Sequence, residues 1–235
     1  MFDKDPIGRA IQEFEKNNIL EDIIVHSDLC EDDFMSVPYL FRSYEEMPPI
    51  EKKALDLCKG KILDVGAGAG CHSKYLSQQN MDVTAIDTSA GAIEHLLASN
   101  IHAINIDFHH LKNVKFDTVL MLMNGIGIAG KLDHLNQYLT HAKSLLNQNG
   151  QIICDSTDIQ YLYEDEEGGT WIDLNSHYYG EMEFQMSYKD TNSDWFNWLY
   201  VDFETLTEAA NKVGLKTENL IDSENGQYLV KLTML

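Results

Sequence analysis

The stretch Ile62-Leu63-Asp64-Val65-Gly66-Ala67-Gly68-Ala69-Gly70 restricts the folds open to this chain more than any other. An apolar run long enough for a buried strand ends in glycines at alternate positions, and a helix-compatible segment, His72-Ser73-Lys74-Tyr75-Leu76, follows at once. Glycine is needed where a chain turns sharply at the end of a strand and where a ligand must approach bare backbone. Asp64 stands just ahead of the turn, placed to accept hydrogen bonds from the amino group of a ligand.

Two further strand ends repeat the pattern. Val83-Thr84-Ala85-Ile86 is a short β-branched run that ends in Asp87 and Thr88. In a nucleotide-binding α/β unit, a carboxylate about 20 residues after the glycines accepts from the ribose hydroxyls. Ala103-Ile104-Asn105-Ile106 then ends in Asp107 and Phe108, an acid followed by an aromatic ring. Each acid taken singly also fits a solvated loop or a helix N-cap. Three acids closing three successive strands, with helical segments between them, point to a nucleotide-like ligand.

The glycine spacing separates the candidate ligands. A dinucleotide fingerprint, G-x-G-x-x-G, wants its third glycine where Cys71 stands, and Gly70 comes one residue early. The run Asp64-Val65-Gly66-Ala67-Gly68-Ala69-Gly70 instead resembles motif I of the class I S-adenosylmethionine (SAM) dependent methyltransferases, an acid followed by G-x-G-x-G. The resemblance covers residues 50–155 closely and 203–235 in topology. It implies SAM as cofactor and S-adenosylhomocysteine (SAH) as product. It further implies a cofactor site made by Asp64, Gly66, Ala67, Gly68, Gly70, Asp87, Thr88 and Asn124. By the same resemblance Asp107 accepts from the adenine amino group and Phe108 packs on the ring, while Arg42 pairs with the methionine carboxylate.

The alternation of patterns sets the fold class. Residues 7–25 carry apolar side chains at helical spacing, and Pro48-Pro49 opens a helix over 50–58. Strands are expected at 61–66, 82–87, 102–107, 116–123 and 151–155, with helices at 71–79, 89–99 and 131–147, the last stopped by Asn149-Gly150. The 116–123 run is largely apolar, as expected of a strand covered on both faces. Tyr179–Tyr188 alternates polar and apolar residues, Lys189–Asp194 is a turn cluster, and Trp195–Val201 returns as a partner strand. A helix at 203–213 and strands near 215–221 and 227–234 close the chain. The reading is a doubly wound, seven-stranded, mostly parallel α/β sheet with an antiparallel C-terminal hairpin. Its parts are an N-terminal helical cap (1–58), a cofactor-binding core (59–155), an inserted β-hairpin segment (156–202) and a C-terminal helix with two strands (203–235).

Bulk properties narrow the partners. The 235 residues carry 17 basic and 38 acidic side chains, a net charge of −21. So negative a surface repels nucleic acid backbones, and the two arginines, Arg9 and Arg42, with dispersed lysines, make no basic stripe. No apolar run approaches the roughly 20 residues of a membrane span, and the N-terminus does not read as a signal peptide. Cys30, Cys58, Cys71 and Cys154 are scattered without C-x-x-C spacing, which argues against zinc and against a disulfide framework and suits the cytoplasm. His109 and His110 have only Asp107 nearby, so no metal site is read there.

The acceptor end is less determined. Ligands of open α/β sheets bind beyond the carboxyl ends of the strands, where strand order reverses. After the fourth core strand comes Asn124-Gly125-Ile126-Gly127-Ile128-Ala129-Gly130, where family members that methylate adenine amino groups carry Asn/Asp-Pro-Pro-aromatic, and where cytosine enzymes carry Pro-Cys. Gly125, Gly127 and Gly130 either admit the methionine moiety of the cofactor or make a flexible loop. Methyl transfer needs alignment, exclusion of water and, for a protonated acceptor, a proton acceptor. Asn124, Asp155 and His177 are the catalytic candidates, with Asp158, Tyr178 and Tyr179 beside them. Tyr39, Phe41 and Tyr44 either cap the cofactor or are core, and Trp171, Trp195 and Trp198 either frame a cationic acceptor or pack the insertion. The expected partner is a small molecule taking the methyl group on N or O. A protein or peptide acceptor, a silent SAM binder and an NAD enzyme are the alternatives.

Overall fold

The computed structural model describes residues 3–163 and 177–235. The chain opens with α1 (Pro6–Asn17), whose first turn is capped by Asp5 accepting from the Gly8 amide. Next come β1 (Ile23–Ser27), β2 (Asp33–Met35), the short α2 (Val37–Leu40), a 3-10 turn at Tyr44–Glu46, and α3 (Pro49–Asp56). The core alternates through β3 (Lys61–Val65), α4 (Cys71–Gln78), β4 (Asp82–Asp87), α5 (Ala90–Ala98), β5 (Ala103–Asn105), β6 (Phe116–Met121), α6 (Leu132–Ser144) and β7 (Leu146–Thr157). It ends with β8 (Glu181–Tyr188), β9 (Thr191–Asn192), β10 (Phe196–Leu199), α7 (Phe203–Lys212), β11 (Leu215–Asp222) and β12 (Gln227–Met234).

The main sheet has seven strands in the order β11-β12-β7-β6-β3-β4-β5. β7, β6, β3, β4 and β5 run parallel, and β12 is antiparallel to both of its neighbours. Strand order therefore reverses between β3 and β6, which puts the Gly66–Gly70 turn at the switch point. Leu63, Val119, Met121 and Ile152 bury one face of the sheet under Leu135 and Leu139 of α6 and Leu206 of α7. Ile62, Leu120 and Ile153 bury the other under Ala54 and Leu55 of α3 and Leu76 of α4. Coverage on both sides is why β6 reads as an unbroken apolar run.

A second, antiparallel sheet, β10-β8-β1-β2 with β9 on β8, roofs the ligand-binding end of the first. The inserted hairpin has the expected pairing, from Phe196 opposite Phe184 to Leu199 opposite Glu181. Its other neighbour corrects the sequence reading of a helix through residue 25. Asn18 ends α1 in the left-handed conformation at φ 52°, and Ile24–Ser27 then pair with Ser187–Phe184. β-branched Ile23, Ile24 and Val25 suit that pairing, but the partner lies far along the chain. The 131–147 helix also ends earlier than expected, at Ser144. Leu146 already pairs with Phe116, so Asn149 and Gly150 fall inside β7 instead of stopping a helix. Among the described residues no helix is long and apolar enough to cross a membrane.

Candidate active site

The glycine turn has two functions. Gly66, Gly68 and Gly70 all have left-handed φ values, 70°, 53° and 80°. A Cβ added at Gly66 or Gly68 would meet nothing within 4 Å, whereas one at Gly70 would overlap the Leu96 side chain of α5. The first two thus leave bare backbone facing a cleft, and the third lets α5 pack closely. Asp87, at the end of β4, fixes the turn by accepting from the Gly68 amide at 2.8 Å and the Ser89 amide at 2.8 Å. Asp64 is buried and accepts from Ser73 Oγ at 2.6 Å. Burial raises the pKa of both carboxyls, against the hydrogen bonds that hold their ionised forms.

In front of this turn lies a cavity of about 500 Å³. Gly66, Asp87, Thr88, Asp107 and Phe108 line it from the sheet side, and Ile7, Met186 and Trp198 close it from the roof. Asp107 is exposed, with Oδ1 accepting from the His109 amide. Phe108 presents only an edge; the rest of its ring is buried against His141, with centroids 4.9 Å apart. Thr88 lies at the rim, its carbonyl accepting from Asn105, and Ala67 is buried under the turn.

At the end of β6 the backbone is strained. Met123 and Asn124 both take left-handed φ, 63° and 55°, a conformation such residues adopt at a cost of about 1–2 kcal/mol each. Thr157 Oγ donates to Asn124 Oδ1 at 2.7 Å and fixes the amide. Asp155, two residues earlier on β7, is only 1 % exposed. Its Oδ2 accepts from Gln227 Nε2 at 3.1 Å, and among the described residues no hydrogen bond of full geometry ends on Oδ1. Burial pushes its pKa up to about 6, against Gln227 and the nearby Asn124 and Gly125 amides, which favour the charge. Two of the loop glycines, Gly127 and Gly130, lie against the roof. A Cβ at Gly127 would overlap the Trp198 indole and one at Gly130 would crowd Asn197, so these glycines admit the roof strand β10.

Arg42 also departs from its expected place. It is buried, with Nη2 2.6 Å from Glu51 Oε2, Nη1 donating to the Tyr39 carbonyl, and its guanidinium 4.0 Å over the Tyr39 ring. His72 Nε2 lies 2.8 Å from the same Glu51 oxygen. Burial opposes charge on His72, but Cys71, Glu51 and Asp64 outweigh it and hold its pKa near about 10. The structure thus assigns Arg42 to a buried ionic cluster behind the glycine turn. His177 stands out in solvent, 85 % exposed and 3.9 Å from Glu181, unlike the buried Asp155 with which it was grouped.

The aromatic candidates divide. Phe41 packs on Phe14, and Tyr44 stacks on Tyr75 with centroids 4.2 Å apart, so both serve the core. Trp198 lines the cavity, Trp195 is half exposed on the roof, and Trp171 lies outside the described residues. Tyr178 donates to Asp202 at 2.6 Å and Tyr179 to Asp158 at 2.8 Å, with their rings 4.5 Å apart. Sequence reasoning missed the residues reaching the cavity from elsewhere. Asp5 accepts from Ser89 Oγ and the Gly91 amide, and so seats the start of α1 at the rim. Tyr138 of α6 and Met186 of β8 complete the wall. None carries a local signal beyond ordinary amphipathic spacing.

Compared with known proteins, residues 62–150 match the methyltransferase domain family. Among solved structures, a SAM-dependent methyltransferase from Bacteroides fragilis, in complex with SAH, is 39 % identical with a TM-score of 0.92. The alignment covers 98 % of this chain and 95 % of that one. The CcbJ methyltransferase from Streptomyces caelestis is 14 % identical over 82 % of this chain and 92 % of its own, at a TM-score of 0.60. A SAM-dependent methyltransferase from Clostridium acetobutylicum is 13 % identical over 81 % of this chain and 93 % of its own, at 0.59. These last two share the fold. A search of curated proteins finds no match.

Proposed function

The chain belongs to the class I SAM-dependent methyltransferases, and from that premise we propose that it transfers the methyl group of SAM to nitrogen or oxygen of a small-molecule acceptor. Its residues fit the cofactor: bare backbone at Gly66 and Gly68 leaves room that a Cβ would fill, and Asp87 keeps a carboxylate at the cavity rim. SAM supplies a methyl group on a sulfonium, which needs alignment more than covalent help.

In this reading Asp87 holds the ribose diol, Asp107 reads the adenine amino group beside Phe108 and Tyr138, and Asp64 faces the methionine ammonium. Asn124, fixed by Thr157, and the buried Asp155 stand at the acceptor side. The observation that carries the small-acceptor reading is the roof. A five-stranded sheet, seated on the 125–130 loop through Trp198, lines the cavity with Met186 and Trp198 over the strand ends, which favours a small acceptor over a polymer. The net charge of −21 favours a neutral or cationic acceptor over a nucleic acid or an anionic membrane surface. A cytoplasmic location belongs to the same proposal and rests on four unpaired cysteines.

The test is a screen for SAH release across amines, alcohols, carboxylic acids, a peptide pool, tRNA and duplex DNA. We expect turnover among the small molecules. Turnover confined to peptides would replace the proposal with protein methylation, and SAH binding without turnover on any acceptor class would leave a silent binder.

A further inference from the structure

We propose that the methyl acceptor is a neutral aromatic molecule whose ring lies on a ladder of four side chains under the roof, Trp198, Phe196, Phe184 and Tyr200; this rests on the methyl-transfer reading above. Phe196 and Trp198 stand opposite Phe184 and Met182 of β8, so these four side chains share one face of the roof. Tyr200 continues the alternation, its amide donating to the Gly180 carbonyl at 2.7 Å. The shared face is turned toward the 500 Å³ cavity, since Phe196, Trp198 and Met186 line it. The rings follow one another closely: centroids are 6.1 Å apart from Trp198 to Phe196, 6.3 Å from Phe196 to Phe184 and 6.3 Å from Phe184 to Tyr200.

Packing of the roof does not account for the ladder. Other residues join the roof to the body: Tyr188 packs with Ile11, Ile23 and Val37, and Leu199 and Val201 enter the core of the main sheet. Among the described residues the hydrophobic core takes in none of the four ladder rings, and each is left half-buried. Adjoining apolar rings kept partly wet beside a cavity mark a surface that a ligand covers. The position of the ladder says which ligand. It begins where the Trp198 indole abuts Gly127, in the loop after β6. It ends at β7, where the amide of Val201, next after Tyr200, donates to Ser156 Oγ at 3.0 Å. The polar groups proposed for the cofactor, Gly66, Asp87 and Asp107, line the opposite side of the cavity. The ladder thus leads from the cofactor cavity to the acceptor side.

The chemistry of the wall selects the acceptor. The face holds Met182, Phe184 and Met186 of β8 with Phe196 and Trp198 of β10, while Glu181 and Glu183 take the opposite face. A carboxylate therefore finds no countercharge on it, and a polyol finds few hydrogen-bond partners. A flat ring instead stacks or packs edge-on against its fellows. An ammonium is also drawn to ring faces, but its nitrogen has no lone pair to take a methyl group. A phenol or an aromatic amine is neutral near pH 7 and keeps one. Tyr200 adds a polar handle at the end of the ladder. Burial, then Tyr161, Cys30 and Asp33, push its pKa up to about 12, so at neutral pH it is a protonated donor. In the transfer, the lone pair of the acceptor oxygen or nitrogen forms the bond to the methyl carbon. The pair of the broken S–CH3 bond stays on sulfur as the thioether of SAH, and the acceptor proton leaves to solvent.

Saturation-transfer NMR titrations of 2-naphthol and of its saturated counterpart, decahydro-2-naphthol, test this at pH 7 on protein saturated with SAH. The two probes share skeleton and hydroxyl, and only the first has a π face. We expect 2-naphthol to bind about fivefold more tightly, the size of an aromatic pair beyond its buried area. Phe184→Leu keeps an apolar side chain and should remove that advantage, leaving the affinity for decahydro-2-naphthol as it was. Phe184 is not among the residues lining the cofactor cavity, so SAH affinity should be unchanged. Phe196→Leu should give the same loss and guards against a Phe184 variant that fails to fold. Equal affinities for the two probes, a 2-naphthol affinity untouched by both variants, or no 2-naphthol binding would overturn the inference. SAH binding to the same samples is read separately: if it persists while only aliphatic acceptors are turned over, the aromatic inference alone falls. If SAH fails to bind, the methyl-transfer reading falls and takes the inference with it.

Discussion

At the end of the site proposed to hold the adenosine, the candidate groups come from three consecutive strand ends within residues 64–108, each set by its own β-α unit. Gly68 is held by Asp87, Asp87 by the first turn of α5, and Asp107 by its own 3-10 turn. At the proposed acceptor end, the candidate residues, Asn124, Asp155, Asp158, Tyr178, Tyr179 and Trp198, are joined to one another and to the 224–227 turn by contacts between distant elements. One end is rigid because its geometry is local. The other is set by packing, so a single substitution there should change more than one property.

The largest effect expected is at the local end. Gly68→Val places a branched side chain on bare backbone at φ 53° and should cost SAH more than about 3 kcal/mol, over roughly 100-fold in affinity, as titration calorimetry would read. Gly70→Val, two residues on, presses on Leu96 instead. It should lower stability by about 1–3 kcal/mol in a denaturant melt while the remaining folded protein keeps its SAH affinity. The same loss of affinity in both would mean that the turn acts as one unit and that its glycines are not divided between ligand and packing.

Asp155 offers the clearest test of the packed end. Its pKa is about 6 in the fold against an ordinary 3.8, so the folded state keeps a proton that the unfolded chain has already lost. The contribution of Asp155 to folding stability is then greatest below about pH 4, falls as pH rises toward about 6, and is level above. A shift of that size corresponds to about 3 kcal/mol. Asp155→Asn should flatten this slope in denaturant melts across the range, since the amide carries no charge to bury. An unchanged slope would assign the pH dependence to Asp64 or Asp87, whose carboxyls are also raised by burial.

Asp87→Ala comes next. Loss of hydrogen bonds to a charged group should weaken SAH by about 1.5–3 kcal/mol. Part of that is loosening of the Gly68 amide, so Asp87→Asn, which keeps the shape, should lose less.

These contrasts also explain what was legible from residues alone. The β3–β7 core and the α7, β11 and β12 closure were readable because glycine turns, apolar runs and helical spacing are local signals. The roof was half readable. β8 and β10 showed their alternation, but Ile24 and Val25 read as helix because their partners on β8, Ser187 and Met186, are remote in sequence. Gly127 and Gly130 were read as either a cofactor approach or a flexible loop, and a glycine alone does not reveal that an indole strand packs on it. Arg42 showed its charge but not its partner, since Glu51 reaches it only through the packing of α3. The proposed acceptor side was hardest to read, because no local pattern encodes the burial of Asp155.

The smallest effect should come from Thr157→Val, and it bears on where the two ends meet. Thr157 Oγ donates to Asn124 Oδ1, and valine keeps the shape while removing the donor. One neutral hydrogen bond is worth about 0.5–1.5 kcal/mol, so kcat/KM for the acceptor should fall by roughly 2- to 13-fold. Because among the described residues no other hydrogen bond holds the Asn124 side chain, its amide should then sample other orientations, and the loss should appear in kcat more than in KM. SAH affinity should stay unchanged. If SAH affinity falls in proportion, Asn124 serves the cofactor and the boundary between the two ends moves one strand toward β7. If neither quantity moves, the left-handed turn alone positions Asn124.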